Sequence, residues 1–358
     1  MNRRYRRNPD LILEWGSEHD GVVLVDSRTL RRFAVKRTLL GVLNRMSAPV
    51  LPGELALEDG AASGPQEAEA LLARLAEAGI VEPVDDAQVV DDPPNPTPPE
   101  LAVHALAARG GIARSRLDEV DIPPARLRHR EASEVIPLPA GEGDSRPLRE
   151  LLRSRTSIRD FAETPVGLAE LGRFLGDSAR VRGWLGPDRL QATRRPSASS
   201  GGRHSLEIYV LARAVADLPP GAYHYDPFAH QLAKLQPWDA ELDDLQHRLI
   251  CRPTLTEHPP PVSIYLAAYH QRVRWKYGGM TLSLIYRDTG CLLQTMYLVA
   301  TDLGLAPCAT AAVEPQASPE FLRPYREDVV HVANFALGNP ADSAPTSPDF
   351  RPLNGARP

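Results

Sequence analysis

The sequence predicts an α+β protein with a small winged-helix-like region at its N-terminus. Three observations predict it. Strands, two helices and a strand follow one another within residues 1–90. An acidic, Pro-rich stretch follows, VDDAQVVDDPPNPTPP at 84–99, which is linker composition. From residue 147 helical patterns mix with apolar strands such as LEIYVL (206–211), PVSIYLAA (261–268) and VVHVANFAL (329–337).

Each element has a local reason. VVLVD, Val22 to Asp26, is a compact β-prone run. Val35, Leu39, Leu43 and Met46 recur at helical spacing. Pro65 opens a second helix with Ala68, Leu71, Leu72 and Leu75 on one stripe, and Gly79 closes it. Residues 100–118 read as a helix broken at Gly110-Gly111, and 121–147 as irregular chain holding the main domain boundary. Helices are expected at 147–152 and 168–175, and a hairpin at Gly221–Leu235. Residues 280–303 form one long helix, apolar almost all round, suited to a core or a subunit interface. The expected organisation is a winged-helix-like peptide- or partner-binding domain at 1–90, a Pro-rich linker with a helix at 91–146, a main domain at 147–340 and a flexible tail at 341–358.

Composition excludes several function classes. The 358 residues carry a net charge of -5, which disfavours binding nucleic acid through bulk positive charge. The winged-helix-like region has no basic recognition helix, so a peptide-binding or interface role fits it better than DNA. No run approaches the ~18 apolar residues of a membrane span. The basic start MNRRYRRNPD is followed by no apolar h-region, so no secretory signal is expected. Three cysteines, Cys251, Cys291 and Cys308, with no CxxC spacing, fit a reducing cytoplasm. Cys291 and Cys308, in apolar helical contexts, read as packing residues. Lysine occurs only at Lys36, Lys234 and Lys276. In so Arg-rich a chain a lysine stands out, because Lys can lose its proton near neutral pH and Arg cannot.

Three constellations could carry chemistry. RSRTSIRDF, 153–161, crowds arginines and hydroxyls suited to a phosphate dianion, or is a solvated basic helix end. RPSASSGGRH, 195–204, lets backbone N–H groups approach a ligand, or is simply a loop; it is neither a P-loop nor a dinucleotide fingerprint. Trp275-Lys276-Tyr277-Gly278 sets an ammonium beside a phenol just before the long helix. The ammonium favours the phenolate and burial opposes it, so the two side chains are a candidate acid–base pair, or an exposed Lys beside a packing Tyr.

Taken in order, RxRxSxRxF, PSxxxGGRHxLExYV, PGxYxYDPxxHxL, KYG and YRDTGxxxQxxYLxAxxLGL resemble the FMN-dependent nitroreductase superfamily over about residues 147–340. Within it, the PGAYHYDPFAHQLAKL hairpin and the Lys276-Tyr277 pair resemble the SagB-type dehydrogenases that mature thiazole- and oxazole-containing ribosomal peptides. The resemblance implies a nitroreductase-like FMN-binding fold: a central, mostly antiparallel sheet flanked by helices, dimerising through long helices with FMN sites at the interface. It implies Arg155, Ser157 and Arg159 around the FMN phosphate and ribityl chain, and Ser197, Ala198 and Ser199 beside the flavin, contributed by either subunit. It implies Gly304 and Leu305 against the isoalloxazine, Lys276 and Tyr277 as the catalytic pair, and no metal. Tyr277 would take the ring Cα proton of a thiazoline or oxazoline while the Cβ hydride passes to flavin N5. A precursor peptide and a cyclodehydratase are the implied partners. Cys291 and Asn339 depart from the pattern, His and a basic residue being expected there. A general NAD(P)H-dependent nitro- or quinone reductase and a non-catalytic scaffold subunit are the competing readings.

Overall fold

In a computed structural model of the chain, residues 3–15, 22–55, 64–84, 97–109, 111–112, 122–141, 143–187, 190–256, 258–314 and 319–342 are described. Most of the 84–99 stretch and the tail from 343 on lie outside them. The chain falls into two compact units, Met1–Gly111 and Ile112–Pro358.

In the first unit Leu11–Trp15, Val22–Asp26 and Arg32–Val35 form a three-stranded antiparallel sheet, and Arg4–Arg7 pairs with Val81–Val84. Helices Arg37–Arg45 and Pro65–Ala78 pack Val42, Leu43, Leu72 and Leu75 around Tyr5, Leu24 and Met46. Gly79 ends the second helix at φ 83°, where a side chain would be strained, and its N–H bonds to the carbonyls of Leu75 and Ala76. The helix expected at 100–118 spans Pro98–Arg109. Its predicted remainder beyond 112 lies outside the described residues.

The second unit is built on a seven-stranded antiparallel sheet. Its order is Ala306–Thr310, Val329–Gly338, Val262–Tyr269, Leu206–Ala212, Gly221–Asp226, Gln231–Pro237 and Glu134–Pro137. The two central strands, Leu206–Ala212 and Val262–Tyr269, are apolar almost throughout because both sheet faces are covered. Ile208, Val210, Ile264 and Leu266 meet Phe174 and Leu175 of helix Leu168–Ala179 and Ile285 and Met296 of the long helix, Thr281–Asp302. Alternate residues Tyr209, Leu211 and Tyr265 turn to the other face, against Leu242, Leu245 and Phe321.

Three expectations are corrected. The stretch 121–147, read as irregular, belongs to the second unit and supplies the edge strand Glu134–Pro137. Cys308 lies in a strand, not a helical context, and is buried; burial pushes its thiol pKa up, partly offset by Arg159. Cys291 is exposed on the long helix rather than packed. That helix buries one stripe, Leu284, Ile285, Asp288, Leu292, Met296 and Ala300, and exposes Leu282 and Tyr286.

Candidate functional site

The long helix organises the candidate residues into two groups, one at each end. At its N-terminal end stand Lys276 and Tyr277 and the Ser/Gly loop. Asp288 sits on the helix's buried stripe, one turn from both Leu284 and Leu292. Its carboxylate accepts the Ser199 hydroxyl at 2.7 Å, the Ser200 hydroxyl at 2.9 Å and the Ser200 N–H at 3.0 Å. These bonds tie the loop to the helix. The tie carries Gly201, at φ 61°, against the pair: a methyl on Gly201 would lie 2.6 Å from the Tyr277 hydroxyl and 2.8 Å from Lys276 Nζ. The Lys276 ammonium lies 5.5 Å from the Tyr277 ring centroid. Ser197, Ala198 and Ser199 line a cavity of about 20 Å³ with Arg195, His204 and Asp288, room for about one water.

Burial first, and then the Asp288 carboxylate, raise the Tyr277 phenol above its ordinary pKa; the Arg203 guanidinium opposes them. Arg203, to which the sequence analysis gave no role, is thus a cation that favours the phenolate. Behind the loop, Glu207 accepts from Arg272 at 2.5 Å and from the His224 Nε2–H at 2.7 Å. Burial pushes the Glu207 carboxyl up, but Arg272 and then His224 outweigh it and hold it at about 2.

At the C-terminal end of the helix, Ser154, Thr156, Ile158, Thr301, Gly304, Leu305 and Pro307 line a pocket of about 430 Å³. The Ile158 N–H bonds to the Pro307 carbonyl and sets the 153–161 segment along the strand edge. The Ser157 and Tyr297 hydroxyls meet at 2.8 Å, and Tyr297 also accepts the Ala309 N–H. Arg155 stacks over the Tyr297 ring at 5.2 Å. Neither Arg155 nor Arg159 has a carboxylate partner among the described residues, so both cations remain available to an anion. Ser154, Thr156 and Ile158 line this pocket together with Arg146 and Asp342; Arg155, Ser157 and Arg159 do not line it, Arg155 and Ser157 turning instead to Tyr297. Asn339 turns away, donating to the carbonyls of Thr164 and Pro165 and to the Thr164 hydroxyl.

Asp288 and Thr301, one from each group, are thirteen residues apart on the long helix, about 20 Å at 1.5 Å per residue; Tyr297, which Arg155 and Ser157 touch, is nine residues from Asp288, about 14 Å. Sequence reasoning quoted Asp288 within the YRDTG motif but gave it no role, and gave none to Glu207 and Arg272. The first two carried a signal, a carboxylate on an otherwise apolar helix stripe and another in an apolar strand. Arg272 carried none. Among the described residues no cluster of His, Cys, Asp and Glu could hold a metal ion, and no helix is long and apolar enough to cross a membrane.

The Nitroreductase family model matches residues 152–331. "Putative nitroreductase MJ1384" of Methanocaldococcus jannaschii is 28% identical over 176 residues, 49% of this chain and 84% of that protein. Among solved structures, "a putative nitroreductase (reut_a1228)" from Ralstonia eutropha is similar with TM-score 0.47 and 21% identity, over 61% of this chain and 95% of its own. A chain of the E. coli microcin synthetase McbBCD complex with truncated pro-MccB17 bound gives TM-score 0.43 and 16% identity, over 64% of this chain and 82% of its own.

Proposed function

This chain is an oxidoreductase of the nitroreductase family, and from that premise we propose that it oxidises thiazoline or oxazoline rings of a ribosomally made precursor peptide to thiazoles or oxazoles. The observation that carries the reading is the convergence of the Tyr277 hydroxyl and Lys276 Nζ on the Gly201 turn, at the helix end away from the pocket lined by Gly304 and Leu305. Aromatising an azoline removes two hydrogens from the ring, one as a proton. Tyr277 takes the Cα proton, and Lys276 beside it supplies a positive charge to the developing phenolate. FMN, when bound, supplies the acceptor for the hydride that leaves from Cβ, a role no side chain can fill. Arg155, Ser157 and Arg159 would hold its phosphate and ribityl chain, and Gly304 and Leu305 its ring.

A homodimer is part of the proposal. The long helix leaves Leu282 and Tyr286 exposed in one chain, and a second copy of the chain would cover them. The N-terminal unit would hold the precursor peptide or a cyclodehydratase. The deciding experiment incubates the FMN-loaded protein and oxygen with a synthetic peptide carrying one thiazoline. Loss of two hydrogens by mass spectrometry, at the ring, is expected. No conversion, with fast NAD(P)H-driven reduction of a nitroarene instead, would favour the general nitroreductase reading that the similarity to MJ1384 supports.

A further inference from the structure

Two arginines in the second unit are buried almost completely, Arg203 at 1% and Arg272 at 0% exposure. Arg203 closes the Ser/Gly loop; Arg272 sits in the short helix Gln271–Arg274 that runs into Lys276-Tyr277. Each grips the backbone of the segment that bears the other. Arg203 Nε donates to the Arg272 carbonyl at 3.0 Å, and Arg272 Nη1 donates to the carbonyl of His204, next to Arg203, at 3.1 Å. Both also reach the same outside strap: Arg203 donates to Pro123 at 2.9 Å and Arg272 to Pro124 at 2.7 Å. Arg203 further donates to the carbonyls of Leu190 and Gln191 and lies 5.1 Å from the Trp275 ring.

The loop they hold is strained. Gly201 and Gly202 adopt their positive φ at no cost, but His204 at φ 42° does not, and such a residue persists there only when its surroundings fix it. The His204 carbonyl is fixed by Arg272 and its N–H by the Ser199 hydroxyl at 2.8 Å. Arg272 is neutralised by Glu207, whereas Arg203 has no carboxylate partner among the described residues. Burying a second cation merely to fill space would be costly, and an apolar side chain would fill it without that cost.

We infer that Arg203 and Arg272 are positioning residues, a reciprocal clasp that sets Lys276 and Tyr277 over the Gly201 turn. The inference rests on the reading of Lys276-Tyr277 as the acid–base pair. Charge alone does not make the clasp: a lysine at 203 keeps the charge but cannot fork to four carbonyls. A pair displaced by about an ångström loses on the order of a hundredfold in rate.

The test is a double-mutant cycle in the full-length, FMN-loaded protein, reading oxidation of a synthetic thiazoline peptide for Arg203→Lys, Tyr277→Phe and both together. Arg203→Lys should lower the rate about ten- to a hundredfold and cost nothing further in the Tyr277→Phe background. An Arg203→Lys enzyme at the wild-type rate, or one whose loss persists undiminished without the Tyr277 hydroxyl, would overturn the clasp while leaving the pair intact. Tyr277→Phe at the wild-type rate would overturn the reading of the pair, and the clasp's role with it. Should Arg203→Lys not fold, Gly201→Ala serves in its place, since it leaves both arginines untouched. A clasped pair cannot move away from the added methyl, so the rate should fall and the loss should vanish in the Tyr277→Phe background. A Gly201→Ala enzyme at the wild-type rate would show that the pair gives way freely and would overturn the inference.

Discussion

Single charges decide what the two ends of the site can do. Asp288 both ties down the loop and, after burial, raises the Tyr277 phenol. A base must be deprotonated, so the rate should climb with pH as Tyr277 ionises. Asp288→Asn removes the anion while leaving an amide that can still bond Ser199 and Ser200, so this rise should move to lower pH. A rate profile unmoved by Asp288→Asn would mean that Tyr277 is not the group that titrates. At the other end, Arg155→Ala and Arg159→Ala should weaken FMN retention more than they slow turnover in flavin-saturated protein, because phosphate contacts lie away from the reacting ring. Flavin content after gel filtration checks this, and wild-type retention in both variants would place the phosphate elsewhere. The sequence singled these residues out by type: arginines among hydroxyls, and a rare lysine beside a tyrosine. Arg203 and Arg272 were given no role, since an arginine spent on backbone carbonyls looks in sequence like any solvated one.

At the scale of elements, regular segments were legible and irregular ones were not. The bounds of Val22–Asp26 and Pro65–Ala78 agree with the β-prone run and with the Pro and Gly that delimit the helix. The central strands were legible as continuous apolar runs. Glu134–Pro137 was missed because an edge strand only four residues long, running into Pro137 and exposed on most of its length, is too short to show a periodicity. Ala306–Thr310 was missed because its small residues resemble the end of the preceding helix. The second unit also stores an acid sensitivity. His331 accepts the Glu314 N–H at Nδ1 and pairs with Asn334 through Nε2, an arrangement only neutral imidazole makes. Burial lowers His331 to about 4, His129 to about 4 and His204 to about 3. Each folded value lies below the unfolded one, so the unfolded chain binds the extra protons and stability falls as pH drops below about 6.5, by up to about 1.4 kcal/mol per unit for each histidine. Below about 4.5 the unfolded chain also takes up a proton at Glu207, which stays ionised in the folded protein down to about 2, and this adds to the loss. Melting temperature should therefore fall from pH 7 to 4.5, less steeply in His331→Gln; a flat profile would show these histidines to be solvated.

The two groups of candidate residues lie towards opposite ends of one long helix. Leu282 and Tyr286 on that helix, and Leu148 and Leu152 on helix Leu148–Ser154, are apolar or aromatic side chains left exposed in one chain, the kind of surface an obligate interface covers. Light scattering of the FMN-bound protein at micromolar concentration should give twice the 39.2 kDa chain mass; a flavin-bound monomer would contradict the homodimer. The central claim is that Tyr277, seated on the Gly201 turn, takes the proton in azoline oxidation. Its most direct test is the rate at which Tyr277→Phe protein, with FMN bound and the fold intact by circular dichroism, converts a thiazoline peptide to the thiazole. Loss of one hydroxyl should lower that rate roughly a hundred- to ten-thousandfold, and conversion within a few-fold of wild type would contradict the claim.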